Sequence, residues 1–309
     1  MSKTRTAPEA EAVVAPPATP ASPPPPTEPA LDLAALRAEL DTLDDALQDL
    51  LMRRFALIER LGSSRAKGAG PALRPGREAI ILRRLLARHA GPLPRAALVR
   101  LWREMLAAST AMQGGFSVAV LAPAAAAPAA EATLALAREH FGAATPVQAH
   151  PAPSRALAAV AAGEAAVAVL PAPQEADTAA TAWWAMLDAP LLQVVARLPF
   201  LAPRRPAGAA ATEALVVSSV PADPTGHDRS LIRLECPAGQ TPARLAAALA
   251  AAGLPPRSLI LRRDGTAAKL ALAEVDGFLP DAEGAARIAA LPFPRAQILG
   301  AYAVPETGE

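Results

Sequence analysis

Leu33, Leu36, Leu40, Leu43, Leu47, Leu50, Leu51 and Leu57 recur at steps of three and four, and no Gly or Pro intervenes before Gly62. That is the period of an amphipathic helix. About thirty residues at ~1.5 Å each give a helix of ~45 Å, longer than a lone small domain needs. A second helix is predicted after Pro75, through Arg77, Ile80, Ile81, Leu85 and Leu86, stopping near Gly91-Pro92. A third is predicted from Pro94, through Leu98, Leu101, Trp102, Met105, Leu106 and Met112, to Gly114-Gly115. Three helices, the first very long, make a poor core alone and a good one if two chains interlock.

After Gly115 the pattern shortens. FSVAVLAP, EATLALAREHFG, PVQAH, SRALAAVAAGEA and AVAVLP alternate strand and helix in a βαβαβ rhythm, which predicts a small parallel or mixed sheet. From Arg229 the order becomes βαββαβ, a ferredoxin-like succession: SLIRLEC, TPARLAAALAAAG, SLILRR, AKLALAEVDG, DAEGAARIAAL, AQILGAYAV. Residues 1–30 hold many prolines and few large side chains, so they are read as a disordered Ala/Pro-rich tail. The expected organisation is multidomain: the tail at 1–30, an all-α three-helix domain at 31–115, an α/β domain at 116–222 and a ferredoxin-like domain at 226–305.

Composition narrows the chemistry. Of the 309 residues 52 % are hydrophobic but only 3 % aromatic, so the cores are built mainly from Ala, Leu and Val. The single cysteine, Cys236, excludes an internal disulfide and a thiolate-rich metal site. His89, His140, His150 and His227 show no metal-ligand spacing, so no metal is expected. The net charge of +1 gives no overall excess for nucleic-acid binding. No apolar stretch is long enough for a membrane span, and a cytoplasmic protein is expected. The balance is uneven, however. Residues 32–113 hold thirteen Arg and one Lys against nine acidic residues, about +5, leaving about −4 elsewhere. A basic face is ordinarily just solvated; the alternative is an anion site.

The polar residues that interrupt the helical stripes are Arg37 and Arg54 in the first helix, Arg65 near its end, Arg77-Glu78 opening the second, and Ser109 with Gln113 one turn apart in the third. Each alone suits an ordinary surface position. As an ordered set, carried by LAALRAELDTLDDALQDLLMRRFALIERLG, RPGREAIILRRL and LWREMLAASTAMQ, they resemble the all-helical (type II) chorismate mutases. The resemblance covers about 80 residues, Leu33 to Gln113. It implies an interlocked helical dimer and the rearrangement of chorismate to prephenate in phenylalanine and tyrosine biosynthesis. In that reading Arg37 and Arg54 bind the substrate carboxylates, and Arg65 and Gln113 donate to the ether oxygen or an adjacent carboxylate. Arg77 supports the site, Glu78 accepts from the ring hydroxyl, and Ser109 adds a carboxylate contact. The family usually has Lys at the place of Arg65, and an acidic residue of some members is Arg74 here.

Such a pericyclic step needs no nucleophile, proton shuttle or cofactor, and none is expected. The catalyst holds a flexible dianion in its compact conformer and aims donors at the ether oxygen, where negative charge grows. Arg37 and Arg54 are 17 residues apart, about 25 Å along one helix, while the substrate is under about 10 Å long. Both can serve one site only if Arg37 enters a partner chain's pocket across a two-fold axis.

The later segments resemble prephenate dehydratases closed by an ACT regulatory domain, the latter through ILGAYAVP and EVDGF. The dehydratase-like part is shortened and altered. AAAAPAA stands where the family has Gly-Pro-Glu-Gly-Thr, LPAPQE replaces Pro-Ile-Glu-Asn, and Thr212-Glu213-Ala214 replaces Thr-Arg-Phe. Leu261-Arg262-Arg263-Asp264 stands in place of the effector motif Glu-Ser-Arg-Pro, and Pro242 in place of the glycine of the Gly-Ala-Leu loop. Loss of donors, of a cation and of a second lobe predicts no dehydratase activity, and Trp183-Trp184 are read as local packing. The other readings are a bifunctional mutase and dehydratase, or a non-catalytic amino-acid-sensing regulatory protein.

Overall fold

The computed structural model describes residues 32–65, 72–122, 128–202, 212–237, 240–264 and 267–308. The Ala/Pro-rich tail and residues 124–127 of AAAAPAA lie outside the described residues, as do the side chains of Arg65, Arg263 and Asp264. The chain divides into two compact units, residues 1–52 and 53–309.

The first unit holds the beginning of α1 (Leu33–Arg65). Asp32 accepts from the Ala34 and Ala35 amides and satisfies two of the free donors at the helix start. Leu33, Leu36, Leu40, Leu43, Leu47 and Leu50 are 42–63 % exposed, so among the described residues of this unit the leucine face of the helix is open.

The second unit opens with the rest of α1, then α2 (Pro75–Ala87) and α3 (Arg95–Ala111). Pro75 begins α2, where its missing N–H costs nothing. Ala79, Leu82 and Leu86 of α2 and Val99 and Leu106 of α3 bury together with Phe200 from the α/β part. Two ion pairs secure α2 to that part. Arg74 makes a bidentate pair with Asp223 at 2.8 and 2.9 Å. Arg83 bonds Glu306, Thr225 and the carbonyls of His227 and Val304. Gly76 lies so close to Asp223 that a Cβ would stand 2.6 Å from its carbonyl oxygen, and only glycine allows this approach.

The α/β part is one nine-stranded sheet. Its strands are β1 (Val118–Leu121), β2 (Val147–His150), β3 (Val167–Pro171), β4 (Gln193–Leu198), β6 (Ala214–Ser218), β7 (Asp228–Glu235), β8 (Pro256–Asp264), β9 (Ala267–Asp276) and β10 (Ala296–Ala303), in the order β2-β1-β3-β6-β4-β10-β7-β9-β8. Strands β5 (Leu201–Ala202) and β11 (Glu306–Thr307) form a separate parallel pair. β1, β2 and β3 are parallel, joined by α4 (Pro128–Phe141) and α5 (Pro153–Ala161), as the alternating pattern predicts. Side-chain alternation places the helices on opposite faces: Val118 and Val120 pack with Phe141 of α4, whereas Ala119 packs with Leu157 of α5. The C-terminal βαββαβ segment adds α6 (Pro242–Ala251) and α7 (Ala282–Ala289), with strands ordered β10-β7-β9-β8, a ferredoxin-like arrangement.

The two halves of the sheet meet where β10 runs parallel to β4, Gly300 opposite Val194. Gly300 has φ +136°, and a Cβ there would lie 2.1 Å from the Val194 carbonyl oxygen. The join therefore requires glycine. Trp183 and Trp184, in a short 3₁₀ turn, are fully buried in the main core; Trp183 Nε1 donates to the Pro171 carbonyl at 2.9 Å. Among the described residues no helix is long and apolar enough to cross a membrane.

Candidate functional site

Three of the predicted site residues come together on the seam between α1 and α3. Ser109 and Gln113 are one helical turn apart, so they share a face. Arg54 reaches that face and donates from Nη1 to Ser109 Oγ at 2.8 Å. Ser109 Oγ donates in turn to the Met105 carbonyl, and Gln113 Nε2 donates to the Ser109 carbonyl at 2.7 Å. The Arg54 guanidinium lies 5.5 Å from the Phe55 ring centroid and 5.6 Å from that of Trp102, and its partial burial lowers its pKa from the ordinary arginine value. Gly62 closes the seam: a Cβ there would come within 3.3 Å of Gln113 Cγ. The Gln113 Oε1 atom is buried with no hydrogen-bond partner. A buried polar atom without a partner is costly.

The other predicted residues stand differently. Glu78 pairs with Arg103, Nη1 to Oε2, at 2.9 Å, in an almost closed setting. Burial raises its pKa from the ordinary glutamate value, with the Arg103 charge and hydrogen bond opposing. Arg103 is itself held down to about 10 by burial, against the pull of Glu78. Arg77 is exposed at the start of α2, and Arg37 is exposed in the first unit. Arg65 is the last residue of α1, one turn beyond Gly62, and its side chain is outside the described set. Arg74 turns to Asp223.

Arg103 is the residue that sequence reasoning missed. The signal was present: it falls between Val99 and Leu106 on the buried face of α3, where a charge in an apolar stripe calls for a partner.

This arrangement of one ring-stacked cation, a hydroxyl and an amide in a helical seam suits recognition of a small anion. Residues 36–114 match the family model of chorismate mutase type II. The chain carries a chorismate mutase domain. Over 87 residues it is 34 % identical to a bifunctional chorismate mutase/prephenate dehydratase of Neisseria gonorrhoeae, an overlap of 28 % of this chain and 24 % of that one. The chain thus spans about a quarter of that relative's length. Two solved structures overlap it more widely at lower identity. One is GqqA, described as a novel type of quorum quenching acylase (20 % identity, TM-score 0.46, 62 % of this chain and 96 % of that one). The other is a prephenate dehydratase from Streptococcus mutans (14 %, TM-score 0.42, 63 % and 100 %).

A second polar cluster lies in the α/β part, apart from the mutase domain. Glu213, the acidic residue in the Thr212-Glu213-Ala214 triplet, accepts from Arg197 Nη2 at 2.6 Å, while Thr212 is exposed. Arg197 also bonds Glu274 and Tyr302, and Glu274 accepts further from Arg229, Ser258 and Tyr302. Burial works against the Glu274 carboxylate, but these donors and cations hold its pKa below the usual range. The cations and carboxylates of this cluster satisfy one another around a cavity of about 200 Å³. Among the described residues no His, Cys, Asp or Glu group is arranged to hold a metal ion.

Proposed function

We propose that this protein is a chorismate mutase that acts as a homodimer, and that its α/β half has no dehydratase activity. The observation that carries the reading is the Arg54–Ser109–Gln113 seam, inside the segment matched by the family model. A dianion entering there receives the Arg54 guanidinium on a carboxylate and the Ser109 hydroxyl beside it. The Gln113 amide nitrogen spends one N–H on the Ser109 carbonyl and has a second to donate to the ether oxygen. The reaction asks for nothing more than a fixed conformer and donors aimed at developing charge. Arg65 supplies a second cation from the end of α1, Arg77 supports the site, and Glu78 accepts from the ring hydroxyl.

Two features support the dimer. The exposed leucine face of α1 is an apolar surface in need of a cover, and a second copy of the same helix, antiparallel across a two-fold axis, presents a matching one. That arrangement also brings Arg37 of one protomer toward the partner's Arg54. The proposed setting is the cytoplasm, and no metal, cofactor or nucleic acid takes part.

The absence of dehydratase activity rests on Glu213, whose charge is taken up by Arg197 where an arginine would be needed. One assay tests the whole reading: chorismate loss and then phenylpyruvate formation are followed with purified protein, with Arg54→Ala as control. Chorismate loss without phenylpyruvate is expected. No turnover overturns the mutase reading, and formation of phenylpyruvate overturns the account of the α/β half.

A further inference from the structure

The Glu78–Arg103 pair joins α2 to α3 beside the α/β half. Arg103 is 3 % exposed, and its guanidinium lies 5.3 Å from the ring centroid of Phe200, in the turn between β4 and β5. Phe200 is buried with Ala79 and Leu82, the residues of α2 that adjoin Glu78 along the core-facing side. One face of the guanidinium is thus covered by an aromatic ring of the α/β half, while Nη1 is spent on Glu78. Beside them is a cavity of about 40 Å³ lined in part by Arg100, Arg103, Glu139, His140 and Phe200. Of the charged and titratable groups that line it, Glu139 of α4 attracts the Arg103 charge and His140 of α4 feels it, with Arg100 of α3 alongside. Of these His140 is neutral, because burial and then the Arg103 charge disfavour its cation.

We propose that Arg103 is a positioning residue for the rearrangement: held against Phe200, it fixes the Glu78 carboxylate in one orientation, so that the α/β half sets the competence of the helical site. The inference rests on the mutase reading. Its physical basis is that a carboxylate so far from water keeps its charge and its rotamer only beside a fixed cation, and this cation is fixed by an aromatic face that the helical domain does not itself supply. The α/β half would then be retained for its packing, with Arg74–Asp223 and the Arg83 contacts keeping α2 in register against it.

The test is the pH dependence of kcat and KM for chorismate, in the full chain, for the parent protein, Arg103→Gln, Arg103→Lys and Phe200→Leu. Arg103→Gln should lose about tenfold or more in kcat with a smaller change in KM, and its acid limb should move to higher pH, because Glu78 without its cation takes up a proton more readily. Arg103→Lys should restore the position of the limb and part of the rate. Phe200→Leu should shift kcat and limb in the same direction as Arg103→Gln, by less. Parent-like kcat and limb in both Arg103→Gln and Phe200→Leu overturn the proposal. Should the parent chain not turn over chorismate, the mutase reading fails on its own. The carboxyl ¹³C titration of Glu78, compared between parent and Arg103→Gln, then decides the coupling: an upward shift in the variant supports it, and an unchanged titration overturns it.

Discussion

Arg54 Nη1 stands 2.8 Å from Ser109 Oγ, so a hydroxyl of α3 holds the cation of α1 at the seam where Gln113 Oε1 lacks a partner. Arg54→Ala should lower kcat/KM for chorismate by about 10²–10³, the usual cost of a preorganised donor aimed at developing charge. Arg54→Lys should recover little of it, since the planar fork is lost. Ser109→Ala should cost about tenfold, one hydrogen bond to a charged group. Steady-state kinetics at constant protein concentration, with thermal melting to establish folding, check all three.

Arg37 and Arg54 are expected to serve one site from different chains. Arg37→Ala and Arg54→Ala should each be nearly inactive alone. Unfolded together in equal amounts and refolded, they should regain about a quarter of the parent rate, because half of the dimers are mixed and one of their two sites is intact. Recovery of no activity would count against the shared site. Leu43→Glu, at the middle of the exposed stripe, should give a monomer in sedimentation velocity and abolish turnover.

His140 links stability to pH. Its folded pKa lies well below 6.5 through burial and then the Arg103 charge, so the unfolded chain takes up a proton that the native one refuses. Stability is present in full above about pH 6.5 and declines as pH falls below it, with a slope of up to about 1.4 kcal/mol per pH unit from this group. Urea unfolding at pH 7.5 and pH 5.5 should show the loss, and His140→Phe should flatten it.

Gly300→Ala should be among the most destabilising single substitutions, by about 3 kcal/mol or more, since it combines a positive φ with a Cβ 2.1 Å from the Val194 carbonyl oxygen. Arg83→Ala, which removes the bonds to Glu306, Thr225, His227 and Val304, should cost about 2–3 kcal/mol and loosen α2 from the sheet. Chemical denaturation measures both, and hydrogen exchange across residues 75–87 locates the second.

The elements of this protein were legible where one local pattern dominates. The leucine steps before Gly62, Pro75 at the head of α2 and the Gly114-Gly115 stop all act within a few residues, and the helices begin and end beside them. Ser109 and Gln113 were legible as a pair because helical spacing alone puts them on one face. Thr212-Glu213-Ala214 could be read as a reversed charge, but not that Arg197 would take it up. β4 and β6 went unnoticed in the segment after Pro171, because short apolar runs among loops carry too little period to distinguish them.

What the sequence determined by itself was therefore local: helix period, strand rhythm, the order of the candidate residues and the sign of the charge in each half. The tertiary structure alone decided which residues meet across long separations. Glu78 turns to Arg103, Phe200 covers that cation from nearly a hundred residues away, and β10 joins β4 at Gly300 to make two predicted sheets into one. The reason is physical. A buried charge is stable only beside a partner and away from water, and no property of Glu78's own neighbours in sequence specifies which side chain packing will bring there.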